Sequence, residues 1–223
     1  MSVTDIRLAH HVSACHHYHR RMARWEPNPR GRLEQAALAL FGERGFENTT
    51  VSEIADRAGL SERTFFRHFA DKREVLFGGS HRLQELMVAT VSSAPASAEP
   101  IDAVAAALRA STAYINDREF SRKRQKILNA NAELRERELI KLATLAAAIA
   151  ESLRRRGVSE PAASLSAEAG VGVFRVAFER WVSETNQRDL SELIEESLEQ
   201  LKTVLGDNRP STRARASASP VRA

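Results

Sequence analysis

Residues 49–69, TTVSEIADRAGLSERTFFRHF, constrain the fold more than any other stretch of this chain. Thr50 and Glu53 make a capping-box pattern, in which each side chain satisfies a backbone N–H group of the other residue. Apolar residues then recur at helical spacing as far as Gly59, a residue type that suits the positive φ at a helix end. Ser61 predicts the N-cap of a second short helix. Two short helices that meet at a glycine-containing turn predict a DNA-binding helix-turn-helix.

The composition indicates an all-α protein of the cytoplasm. The chain has 223 residues, of which 43% are hydrophobic and 28% charged, and its net charge is only +4. β-Branched alternation is nearly absent, no apolar run approaches a membrane span, and the N-terminus lacks the apolar region of a secretory signal. The single Cys15 excludes an internal disulfide framework. A net charge this small permits nucleic-acid binding without demanding it.

Hydrophobic periodicity predicts helices on both sides of this motif. The Gly78–Gly79 pair is a point where one of them either continues or breaks. The predicted helices are Arg30–Arg44, Asp71–Ser92, Ile101–Asn116, Arg118–Asn131 with Asp117 as its cap, Glu133–Arg156, Ser166–Glu184, and a last helix from Asp189 to about Leu205. The helix Ser166–Glu184 is apolar around most of its circumference, so we expect it to be buried on more than one side.

The N-terminal 21 residues differ from the rest of the chain. Five histidines surround Cys15: His10, His11, His16, His17 and His19. One interpretation is a zinc or copper site, although the spacing is irregular and no second cysteine accompanies it. The others are an irregular tail, or an over-extended start with Met22 as the true first residue. On balance the sequence predicts no metal site and no cofactor.

The segment AALALFGERGFENTTVSEIADRAGLSERTFFRHFADKREVL, within Arg30–Leu76, resembles the N-terminal domain of the TetR family of transcriptional regulators. One departure is Phe66, where the family usually has a tyrosine whose hydroxyl contacts a phosphate. Phe66 lacks that hydroxyl, so we expect it either to pack or to touch a thymine methyl group. Residues 124–157 and 169–182 more weakly resemble the mycofactocin-type subgroup of the family, which implies an apolar effector such as an acyl-CoA.

The resemblance implies four segments: an extension at 1–21, a helix-turn-helix DNA-binding domain at 22–75, a helical effector-binding and dimerisation domain at 76–205, and a disordered tail at 206–223. It implies a homodimeric repressor that a small molecule releases from a palindromic double-stranded operator. The predicted DNA-binding residues are Thr49, Thr50, Ser61, Glu62, Arg63, Thr64, Phe66, Arg67, His68 and Lys72. Among them, Arg63 suits guanine O6 and N7, Thr49, Thr50 and Lys72 are phosphate candidates, and Glu62 either accepts from cytosine or favours the helix N-terminus.

Two further sets of residues are predicted in the C-terminal domain. The ligand pocket is assigned to Leu86, Met87, Thr90, Leu108, Tyr114, Leu128 and Leu145. The dimer interface is assigned to Phe174, Phe178, Trp181, Leu193, Leu198 and Leu201, on two helices that would form a four-helix bundle with a second copy. The alternative for both sets is ordinary intrachain core.

Three other functions compete with this interpretation. An enzyme finds no support, because the body of the chain shows no metal-ligand spacing, phosphate-binding glycine loop or nucleophile–base constellation. A metal-responsive regulator would use the N-terminal histidines and keep the same DNA-binding domain. A non-specific architectural DNA-binding protein would lack a sharp palindromic footprint.

Overall fold

The computed structural model describes residues 28–183, 185 and 187–206, and these residues form helices without any strand. The prediction of an all-α fold is confirmed. In chain order the helices are α1 Pro29–Arg44, α2 Val51–Arg57, α3 Glu62–His68, a 3-10 helix Arg73–Phe77, α4 Ser80–Ser93, α5 Pro100–Tyr114, α6 Arg118–Ala130, α7 Ala132–Arg155, α8 Ala162–Val182 and α9 Leu190–Gly206. None of the helices in this part of the chain is long and apolar enough to cross a membrane.

The helix ends follow the capping signals in the sequence. The Thr50 hydroxyl accepts from the Glu53 N–H at 3.2 Å, and the Glu53 carboxylate accepts from the Thr50 N–H at 2.8 Å, so the capping box is formed. The Ser61 side chain accepts from the Thr64 N–H and caps α3, and the Asp117 side chain accepts from the Phe120 N–H and caps α6. Gly59 has a φ of +63° directly after α2, as its position predicted. Local sequence therefore sets where these helices begin and end.

The predicted helix Asp71–Ser92 is broken at the glycine pair, so its continuous form is wrong and the alternative with a break is right. A 3-10 helix precedes the pair and α4 follows it. Gly78 packs closely against α1 and α3, since an added side chain there would overlap the Glu34 carboxylate and crowd Phe69. The Gly78 carbonyl also accepts a hydrogen bond from the Arg30 guanidinium, which links the segment between the 3-10 helix and α4 to α1.

The apolar residues form two cores. The first core joins α1, α2, α3 and the 3-10 helix, and it also includes Ile127, Leu128 and Leu134 from α6 and α7. The second core is built by α4, α5, α7, α8 and α9. Because the first core takes residues from 127–134, the N-terminal helices are packed onto the C-terminal ones through a shared apolar surface.

Charged side chains also join the two parts. Glu74 of the 3-10 helix pairs with Arg137 at 2.6 Å and with Lys141 at 3.0 Å, both on α7. Arg124 of α6 donates to the Leu76 carbonyl at 2.7 Å and lies over a neighbouring phenyl ring. We call this set of contacts the 3-10 junction. It fixes the segment that follows α3 to α6 and α7.

Candidate nucleic-acid interface

Helix α3 is held in place by aromatic packing on its inner side. Phe65 is fully buried and Phe69 is 3% exposed, and their ring centroids lie 5.4 Å apart within the first core. The two phenylalanines are four residues apart, so they lie on the same side of the helix. The inner side of α3 is therefore fixed, and its orientation presents the opposite side to solvent.

The outer side of α3 carries Glu62, Arg63, Phe66 and Arg67, all of which are exposed. Within the described part of the chain, neither Arg63 nor Arg67 makes a hydrogen bond or an ion pair. Both guanidinium groups keep all five N–H donors for another molecule.

Other arginines in the N-terminal helices differ from these two, because they are paired at the surface. Arg44 binds Glu53 at 2.7 Å, and Arg57 binds Glu43 at 2.8 Å with both carboxylate oxygens engaged. Between Pro29 and Phe77 the chain has eight Arg and Lys against eight Asp and Glu, a net charge of zero. Among the described arginines of these helices, Arg63 and Arg67 are thus the two whose guanidinium groups have no intramolecular partner.

The hydroxyl groups at the two helix starts are already engaged in capping. Thr50 and Ser61 are exposed, and Ser61 Oγ also lies 3.0 Å from Thr64 Oγ1. The Thr50 hydrogen bonds lower the pKa of the Glu53 carboxyl, because they favour its ionised form. These side chains shape the N-termini of α2 and α3, where exposed N–H groups favour anions.

Thr49 was predicted to bind phosphate, and the structure contradicts a side-chain contact. It is 1% exposed, and its hydroxyl donates to the Gly45 carbonyl at 2.9 Å. Lys72 lies nearby, where its ammonium donates to the Phe46 carbonyl at 2.8 Å and to the Thr49 carbonyl at 3.0 Å. Lys72 therefore closes the loop between α1 and α2, and only its third N–H remains for a phosphate.

His68 lies at the end of α3, turned toward the body of the protein. Its ring contacts Phe69, with the centroids 6.4 Å apart, and its Nε2 is buried without a hydrogen-bond partner in the described residues. Burial lowers the pKa of His68, and the charges of Arg67 and Arg30 lower it further. A packed histidine therefore fits this environment better than the predicted contact with DNA.

The residues predicted to form the ligand pocket do not surround one cavity. Met87, Leu108 and Leu145 lie in the second core, whereas Leu128 belongs to the first core. Tyr114 is 38% exposed and donates to the Gly79 carbonyl. The two remaining pocket residues, Leu86 and Thr90, are half-buried on α4.

A large depression lies elsewhere, between α1, the end of α2 and the start of α6. It is an open groove of about 940 Å³ lined by Arg32, Gln35, Ala39, Gly59 and Phe120, among others. The groove borders the N-terminal helices and not the C-terminal core where the pocket was predicted.

The predicted dimer contacts lie mostly inside the chain. Phe174, Trp181, Leu193 and Leu198 are 8%, 5%, 1% and 5% exposed, and they pack in the second core. Phe178 and Leu201 are half-buried against the same core. The four buried residues fit the alternative of intrachain core, because their side chains are enclosed by their own chain.

A different side of α8 is apolar and exposed. Leu165 is 66% exposed and Val176 48% exposed, with the partly exposed Ala169 and Gly172 between them. Their successive spacings of four, three and four residues match the seam of a helix pair. We call these four residues the α8 seam. This spacing is present in the sequence, but the predicted dimer interface was assigned to the larger aromatic residues of the same helix.

The N-terminal histidines and residues 207–223 of the predicted tail lie outside the described residues. Among the residues that are described, no group of three His, Cys, Asp or Glu side chains is arranged to hold a metal ion. The metal-responsive alternative therefore depends on a segment for which the structure gives no geometry.

Two family models match the chain. The model of bacterial regulatory proteins of the tetR family matches residues 34–77, and the MftR C-terminal domain matches residues 98–206. The transcriptional regulator TcmR of Streptomyces glaucescens is 38% identical over 91 residues, which are 41% of this chain and 40% of TcmR. The match thus spans less than half of that relative.

Longer matches cover both parts of the chain. MftR of Mycobacterium tuberculosis is 25% identical over 178 residues, 78% of this chain and 87% of MftR. Among solved structures, the complex of SmeT with triclosan has a TM-score of 0.58 at 20% identity, with 86% of this chain and 99% of SmeT covered. SmeT is the repressor of a multidrug efflux pump of Stenotrophomonas maltophilia, and at this identity it shows the fold alone.

The relatives are named as transcriptional regulators, which confirms the prediction that the chain is not an enzyme. The helix-turn-helix, the exposed side of α3 and the two matched domains all agree with one family. The chain belongs to the TetR family of transcriptional regulators and carries an MftR-type C-terminal domain.

Proposed function

We propose that the chain is a homodimeric repressor that acts in the cytoplasm, binds a palindromic operator through α3 and is released by a small apolar ligand. The observation that carries the DNA-binding part is the contrast between two groups of arginines. Arg63 and Arg67 are exposed without an intramolecular partner among the described residues, whereas Arg44 and Arg57 of the same domain are neutralised by glutamates.

Arg63 is the residue that we assign to base readout. It lies in the first turn of α3, the part of a recognition helix that reaches base edges in the major groove. Its planar fork matches the O6 and N7 acceptors of guanine. Arg67 lies one turn later and is assigned to a phosphate.

The α8 seam is the surface that we assign to the second copy. Gly172 has open space around its Cα, and Leu165 and Val176 are large apolar side chains that water would otherwise cover. When α8 of one copy packs against α8 of a second copy, an apolar stripe with this heptad-like spacing is buried between the two helices. A palindromic operator requires two recognition helices about 34–36 Å apart, and dimerisation through α8 supplies the second one.

The 3-10 junction is the connection that we assign to induction. Glu74, Arg137 and Arg124 tie the segment behind α3 to α6 and α7, while α7 also encloses Met87 and Leu108 in the second core. A ligand that separates α4, α5 and α7 would change the position of α7 and, through the junction, of α3. Such a ligand must bind the released form more tightly than the operator-bound form.

The experiment that tests the DNA-binding part is in vitro selection from random DNA with the full chain, followed by titration of the selected site. We expect one sharp palindromic motif. Arg63→Ala should weaken binding of that site by about 10–100-fold in each half-site and relax the preference at one base pair. Arg57→Ala is the matched control, because its guanidinium is already paired, and it should change affinity by less than about twofold. Equal weakening by both variants would contradict the assignment.

The dimer is tested by analytical ultracentrifugation of two variants with the same type of change on different helices. Val176→Glu places a carboxylate in the α8 seam and should give a monomer that no longer binds the operator. Leu139→Glu is the control, because Leu139 is 57% exposed on α7, and it should remain dimeric. A dimeric Val176→Glu variant would refute the seam as the interface.

Ligand release is tested with acyl-CoA thioesters of different chain length and with apolar aromatic compounds. An inducer should raise the melting temperature and weaken operator binding at least about fivefold, and it should restore transcription from a reporter that carries the operator. If no compound changes operator affinity, the induction part of the proposal fails while the DNA-binding part stands.

A further inference from the structure

The recognition helix carries one large apolar side chain on its exposed side. Phe66 is 54% exposed, and among the described residues from Pro29 to Phe77 it is the single large hydrophobic side chain exposed to this extent. The other exposed large hydrophobic residues in the described part of the chain, such as Leu139 and Leu165, lie on the C-terminal helices. The ring is thus an apolar group on the side of α3 that otherwise carries the charged residues Glu62, Arg63 and Arg67.

The Phe66 ring is held in a defined direction. It meets the ring of Phe65 edge to face, with the centroids 5.5 Å apart and the planes at 81°. Phe65 is fully buried, so the contact ties Phe66 to the core. A phenylalanine has only two side-chain torsions, and presenting it costs little conformational entropy.

Phe66 lies on the same side of α3 as the residues assigned to DNA. It follows Glu62 by four residues and Arg63 by three, which places the three side chains on one stripe of the helix. A ring on this stripe faces the floor of the major groove when Arg63 reaches a base edge. The ring carries neither a donor nor an acceptor, so it has no hydrogen bond to offer a phosphate or a base.

The apolar group that the major groove presents is the C5-methyl group of thymine. We propose, on the basis of the proposed operator binding, that Phe66 contacts a thymine methyl group in each half-site and thereby sets the preference at that base pair. The operator would then be read by two neighbouring side chains, Arg63 for guanine and Phe66 for thymine.

The test replaces thymine by uracil, one position at a time, in the operator obtained by selection with the full chain. Removing the methyl group leaves base pairing unchanged. We expect one thymine in each half-site to be sensitive, with about fourfold weaker binding for one substitution and about 15-fold for both, as one buried methyl group predicts. The remaining thymines of the site serve as internal controls.

Variants of Phe66 separate a methyl contact from a general effect on DNA shape. Phe66→Ala should bind the thymine and uracil operators equally, and Phe66→Leu should restore part of the difference, because it restores an apolar contact. Both variants change an exposed side chain, and circular dichroism checks that they remain folded. If no thymine is sensitive, or if the sensitivity persists in Phe66→Ala, the inference is wrong although operator binding stands. If selection yields no motif at all, the proposed function itself fails, and this inference fails with it.

Discussion

A close approach between two helices of the C-terminal domain gives the sharpest stability prediction. Gly170 is buried on the inner side of α8, where a Cβ atom would lie less than 3.0 Å from Cγ1 of Val104 on α5. Val104 is fully buried, and its β-branched side chain has little freedom to move aside. Gly170→Ala therefore forces either the valine or the helix to shift.

The expected magnitude follows from two opposing effects. Alanine favours a helix over glycine by about 1 kcal/mol, and overpacking of a filled core costs about 1–3 kcal/mol. Gly170→Ala should thus lower the free energy of unfolding by about 1 kcal/mol. Gly42→Ala is the matched control, because Gly42 lies in α1 with nothing within 4 Å of an added Cβ. It should raise the free energy of unfolding by up to about 1 kcal/mol.

Thermal unfolding at one fixed protein concentration measures the difference between these two variants. A gap of about 2 kcal/mol corresponds to about 4–8 °C for a chain of this size. Val104→Ala removes the obstructing methyl groups, so the double variant with Gly170→Ala should be less destabilised than the sum of the single variants by at least about 1 kcal/mol. A Gly170→Ala variant as stable as Gly42→Ala would refute the close contact between α5 and α8.

Three further predictions concern the N-terminal helices and the 3-10 junction. Glu74→Gln leaves two cations of α7 without their carboxylate, so it should lower the free energy of unfolding by about 1–3 kcal/mol in denaturant titration. Glu85→Gln is the control at the exposed surface of α4, and it should change the free energy of unfolding by less than about 0.5 kcal/mol. Gly59→Ala places a side chain at a φ of +63° and should cost about 1 kcal/mol, measured by the same titration, and an unchanged midpoint would contradict the strained turn. Since the pKa of His68 is lowered in the folded state, the unfolded chain takes up the proton first as pH falls, so stability should decline on acidification through the ordinary histidine range, and His68→Gln should reduce that decline.

The sequence predicted the N-terminal helices well because their signals are local. A capping box needs only residues three apart, and Gly59 needs only its own backbone angle. The buried side of α3 can also be predicted from local sequence, because Phe65 and Phe69 are four residues apart and lie on one face of the helix. What the sequence did not predict was the environment of Thr49, whose burial depends on the fold of the loop between α1 and α2.

The C-terminal assignments depend on contacts between helices that are distant in the sequence. Apolar periodicity shows that a side of a helix is buried, but it does not say which helix covers it. Leu128 and Leu108 look alike in the sequence, yet they lie in different cores. Phe174 and Trp181 were assigned to the dimer interface because they are large and apolar, yet both are buried within their own chain. The smaller residues of the α8 seam remain exposed.

The neutral balance of charges between Pro29 and Phe77 has a consequence for how the protein finds its site. Each bound cation releases counterions from DNA, and the logarithm of affinity falls with the logarithm of salt concentration at a slope of about −0.9 for each phosphate neutralised. With Arg63 and Arg67 as the unpaired arginines of α3, a dimer would have a slope on the order of −4 or shallower. Binding to random chromosomal DNA would be weak, and so most of the molecules would remain available to the operator even where its affinity is moderate.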